Sequence, residues 1–96
     1  MAGNQSDTTR IRSEVGKVIR IFHELNCVGV RVRHRVEQGQ TLLFESGRRT
    51  HTDQTVTASS IQVNRRPRKR VNRGEKCSIQ VQDAAEFHHG MLIFRA

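Results

Sequence analysis

The chain has 96 residues, 34% of them hydrophobic, and a formal net charge of +8. That bounds it to one small domain with a modest core and makes a polyanion its natural partner. No apolar run approaches the roughly 18 residues of a membrane-spanning helix, and no apolar signal core opens the chain, so a cytoplasmic protein without a membrane partner is expected.

Residues 1–13 are polar apart from Ile11 and read as a disordered tail, leaving 14–96 as the domain. Residues 14–25 (EVGKVIRIFHEL) support two readings. Val15, Val18, Ile19, Phe22 and Leu25 fall at helical spacing behind a capping Ser13. Gly16 and the β-branched run argue for a strand. Residues 27–36 (CVGVRVRHRV) are the clearest strand. Val28, Val30, Val32 and Val36 face one way, while Arg31, Arg33 and Arg35 face the other. Gly29 marks a bulge or a close approach of backbone.

A turn at 37–40 leads to the strand TLLFE, and Ser46-Gly47 signals a second turn. Residues 51–64 form a longer strand region whose alternation slips at Ser59-Ser60, the mark of a β-bulge. Six positive charges follow in a loop: Arg65, Arg66, Arg68, Lys69, Arg70 and Arg73. Pro67 has no amide proton and belongs to this connection. Beyond the turn residue Gly74, the next strand sets Cys77, Ile79 and Val81 against Ser78 and Gln80. Residues 83–90 connect to a closing run, MLIFRA. Six strands with short polar turns predict a small all-β antiparallel barrel or sandwich.

The order of these motifs resembles the second-domain β-barrel of translational GTPases such as elongation factor Tu and initiation factor two. The matching residues are VGKV at 15–18, CVGVRV at 27–32, the turn with Gly39, SSIQVNRRPRKRVNRGEKCSIQV at 59–81, and Gly90 before Met91-Leu92. In related form the same barrel occurs at the C-terminus of some U32-type peptidases. The resemblance implies a six-stranded closed Greek-key barrel, a strand at 14–25, and a stand-alone domain associated with translation or RNA. The family turns read Gly-Asp where this chain has Gly39-Gln40 and Gly90-Met91. No phosphate-cradling GxxxxGK[ST] motif occurs, so nucleotide hydrolysis is not expected.

Candidate functional residues are the six loop cations together with Arg31, Arg33 and Arg35. Guanidinium groups form bidentate, charge-assisted bonds to phosphate. The expected partner is RNA, either tRNA or rRNA, or a ribosome-associated complex; docking on a larger protein is the alternative. Trp and Tyr are absent, and the four phenylalanines read as core rather than as a stacking surface. Cys27 and Cys77 read as free thiols in apolar strands. His23, His34, His51 and the surface pair His88-His89 lack metal-knuckle spacing, so no cofactor or metal is expected. No local signature orders a nucleophile and a base, and an enzyme is not expected.

Overall fold

A computed structural model describes residues 14–96; the expected disordered tail lies outside the described residues. The strands are β1 (Gly16–Phe22), β2 (Cys27–Val32), β3 (Val36–Glu37), β4 (Thr41–Glu45), β5 (Gln54–Thr57), β6 (Ile61–Val63), β7 (Arg66–Pro67), β8 (Arg70–Val71), β9 (Lys76–Gln80) and β10 (Leu92–Arg95). A 3-10 turn at Ala84–Glu86, capped by the Asp83 carboxylate, is the helical element among them. Eight strands pair antiparallel in the order β5-β4-β10-β1-β2-β9-β6-β7, while β3 and β8 form a separate ribbon.

The fold is all-β, as the alternation predicts, but it is not a closed six-stranded Greek-key barrel. The eight-stranded sheet curls into an open half-barrel whose edges are β5 and β7. Closure removes exposed edges; short edge strands and proline blunt them instead. β7 has two residues, one of them Pro67, which lacks the amide that would extend the ladder. Pro67 thus lies within an edge strand opposite Gln62, not in a connection.

Residues 16–22 are strand, not helix. The pairing steps from Val18 opposite Val30 to Arg20 opposite Gly29, which leaves Ile19 as the extra residue of a β-bulge. The bulge changes the inward spacing from two residues (Gly16, Val18) to three (Val18, Ile21), while the helix-like pattern mixes core-facing Val15 and Val18 with Ile19, Phe22 and Leu25, which line a groove on the outer face. The parity slip at Ser59-Ser60 has another origin. It is a gap between two strands, β5 paired with β4 and β6 paired with β9. Gly16 admits close packing: a Cβ there would sit 2.8 Å from the Arg31 carbonyl oxygen.

The four valines of residues 27–36 are all buried, with Leu42, Phe44, Ile61, Ile79 and Ile93 around them. Phe44 meets Phe87 edge to face, ring centroids 5.2 Å apart, and so ties the segment after the 3-10 turn to the sheet. His88 is buried rather than at the surface. Its Nδ1 lies 2.9 Å from the His89 carbonyl oxygen, which only accepts, so Nδ1 carries a proton. Its Nε2 lies 3.1 Å from the Ser46 hydroxyl oxygen, which also donates to the Arg48 carbonyl at 3.3 Å. Ser46 in turn receives the Arg48 amide on Oγ and donates its own amide to Asp53. These bonds close the 46–53 loop on itself and fasten it to the connection that precedes β10.

Both cysteines are free. Burial pushes the Cys77 thiol up to about 12. The unfolded chain therefore loses this proton near pH 9, before the folded protein does. Stability is fully present below pH 9 and falls between 9 and 12, by ~1.4 kcal/mol per pH unit from this group. Urea melts across that range should show the slope, and Cys77→Ala should flatten it.

Candidate nucleic-acid interface

Strand register brings together cations that lie far apart in the sequence. Lys17 in β1 stands directly opposite Arg31 in β2, and Arg31 stands directly opposite Lys76 in β9. All three are exposed. With strands ~4.8 Å apart, three like charges lie abreast on the outer face of the sheet. Directly opposed like charges destabilise a sheet. No carboxylate among the described residues forms an ion pair with any of the three.

The expected arginine stripe is only partly formed. β2 ends at Val32, so Arg31 alone belongs to the sheet face. Arg33 and Arg35 lie beyond the strand end and lean on carboxylates, Arg33 on Glu14 at 3.8 Å and Arg35 on Glu37 at 3.4 Å.

The Arg65–Arg73 segment is not one loop. It divides into the edge strand β7, which carries exposed Arg66, and β8, where Arg70 stands opposite Glu37. Arg68 is committed to structure: its Nη2 donates to the two Glu75 carboxylate oxygens at 3.0 and 3.3 Å. The Asn72 amide, and then Arg68, hold the Glu75 carboxyl below its ordinary range. This staple holds the base of the turn from which exposed Arg73 projects. Lys69 is also exposed, while its carbonyl accepts the Gln38 amide.

Arg65 occupies a costly position. The β6–β7 hairpin turns on two residues, Asn64 with φ 52° and Arg65 with φ 66°, the pattern of a type I′ turn. Asn suits the first position and Gly the second; an L residue with a long side chain loses about 1–2 kcal/mol there. Arg65→Gly is therefore expected to stabilise the domain by about 1 kcal/mol, measured as a rise in the thermal midpoint followed by circular dichroism. The strain keeps a cation at the hairpin tip, where Arg65 lines a groove shared with Arg20 and Lys76.

That groove, about 610 Å³ in volume, runs over the outer face of β1, β2, β9 and β6. Phe22, Ile19 and Leu25 also line it. Phe44, Phe87 and Phe94 are buried as expected, but Phe22 is half-exposed on this outer face. Lys17, Arg20, Lys76 and Phe22 are the residues that sequence reasoning missed. The polar parity of Lys76 with Ser78 and Gln80 was the available signal; the other three depend on register and on the bulge. No group of three or more His, Cys, Asp or Glu suited to a metal ion occurs among the described residues. No described helix is long and apolar enough to cross a membrane.

No protein-family model matches the sequence, and no curated protein matches it. Solved structures do. The C-terminal domain of a putative U32 peptidase from Geobacillus thermoleovorans superposes with a TM-score of 0.77 at 14% identity, over 88% of this chain and 100% of that one. A second structure of that domain gives 0.76 at 12% identity, over 86% and 91%. The likeness is one of fold. It replaces the resemblance to the second domain of translational GTPases, because these neighbours are peptidase C-terminal domains with an open sheet here in place of a closed barrel. The motifs behind that resemblance record strand alternation and turn positions, and small curled β domains share both.

Proposed function

We propose that this domain binds RNA through its phosphates, using the outer face of the sheet. The row Lys17, Arg31, Lys76 carries the proposal: three cations held abreast without a carboxylate between them lower stability unless an external anion occupies the face. Arg65, which lines a groove with Lys76, extends this field, and exposed Arg66, Lys69 and Arg73 add positive charge outside the row. Arg33, Arg35, Arg68 and Arg70 serve the fold or stand beside carboxylates and contribute less. Recognition is of backbone and charge.

Filter-binding titrations with tRNA and with ribosomal RNA at several salt concentrations test this reading. About five neutralised phosphates give a slope of log affinity against log salt near −3.5 to −4.5. A flat slope, or no binding at low salt, overturns it. A second reading is favoured by the fold likeness, since the similar structures are C-terminal domains of a larger putative enzyme. On that reading the domain docks on a protein, and the association persists after nuclease treatment.

A further inference from the structure

The groove beside the cation row has a different composition from the row itself. Its floor is Gly29, buried in the middle of β2. A Cβ at Gly29 would lie 3.1 Å from Arg20 Cβ and 3.4 Å from Phe22 Cε2. The missing side chain lets both residues lean across the strand. The Arg20 guanidinium then sits over the Phe22 ring, 5.5 Å from its centroid. The bulge adds Ile19 to this wall, and Leu25, 68% exposed, projects from the β1–β2 turn. Facing them are the amide side chains of Gln62 and Asn64, with Arg65 and Lys76 at the rim.

We infer that this groove seats an unpaired nucleotide of a bound RNA strand. A guanidinium lying on an aromatic ring is a flat platform for a base. Side-chain amides offer donors and acceptors to a base edge, and the rim cations meet the flanking phosphates. An extended acidic peptide fits less well. The four strands beneath the groove are interior to the sheet order, so an added strand has room to pair only at the 19–22 end of β1, which meets β2 but not β10. The inference rests on the RNA-binding reading and adds a preference for single-stranded over duplex RNA.

The test compares a uridine decamer with a blunt RNA duplex of equal length, using the whole chain. Phe22→Ala is expected to weaken the decamer about tenfold and to leave the duplex within about twofold, a difference that backbone contacts alone do not produce. Phe22→Leu, which keeps apolar bulk, controls for folding and should fall between. Independently, Cys27 is half-buried in the groove lining. The decamer should slow its alkylation by N-ethylmaleimide, and the duplex should not. Equal loss for both RNAs on Phe22→Ala, or no loss for either, overturns the inference while RNA binding by the wild type leaves the underlying reading standing. Absence of wild-type binding to both RNAs removes the underlying reading as well. Protection of Cys27 by a Phe- and Leu-containing acidic peptide in place of the decamer assigns the groove to protein docking.

Discussion

Arg31→Glu is expected to make the domain more stable and its RNA binding weaker. The substitution puts a carboxylate between Lys17 and Lys76, directly opposite each. Two repulsive cross-strand pairs become two attractive ones, and each such pair is worth about 0.2–1 kcal/mol. The gain should be about 1 kcal/mol, a rise of several degrees in the thermal midpoint for a chain of this size. Losing one charge-assisted bond to phosphate costs about 1.5–3 kcal/mol of binding, an affinity loss of about 10- to 100-fold. The salt slope should also fall by about one or more. The combination is diagnostic, because a misfolded variant loses affinity and stability together. If Arg31→Glu lowers the midpoint, or leaves RNA affinity intact, the row is not an anion site. Arg65→Gly probes the same trade from the hairpin tip.

The largest effect on stability should come from Phe44→Ala. Phe44 is fully buried in β4 and packs edge-on against Phe87 across the core. Truncation removes a large apolar surface and leaves a cavity, at a cost of about 3–5 kcal/mol. A domain of this size has roughly 5–15 kcal/mol in total, so the midpoint should fall by about 20 °C. Phe87→Ala should cost less in the Phe44→Ala background than in the wild type. The difference reports the ring–ring contact, about 0.5–1.5 kcal/mol. Full additivity of the two substitutions, measured by urea unfolding, would remove the pinning role given to this pair.

Side-chain alternation is a property of neighbours along the chain, and it made β2, β4 and β9 legible with their buried faces. Val28, Val30 and Val32 lie inside because a strand turns its side chains by half a turn per residue. Thr41–Glu45 coincides with the TLLFE run for the same reason. The same local signal misled wherever register intervened. Over residues 15–25, core-facing Val15 and Val18 and outer-face Ile19, Phe22 and Leu25 fell together at a helical spacing. At Ser59-Ser60 two strands belonging to different parts of the sheet looked like one strand with a bulge.

Composition and periodicity by themselves determined an all-β domain with a positive surface and an aliphatic core. Tertiary structure alone decided that the sheet stays open, that Arg68 belongs to Glu75, and that Lys17, Arg31 and Lys76 stand abreast. The reason is physical: charge and alternation are written in consecutive residues, whereas pairing joins residues tens of positions apart. A shift of one residue in that pairing would have sent each of these cations to a different neighbour.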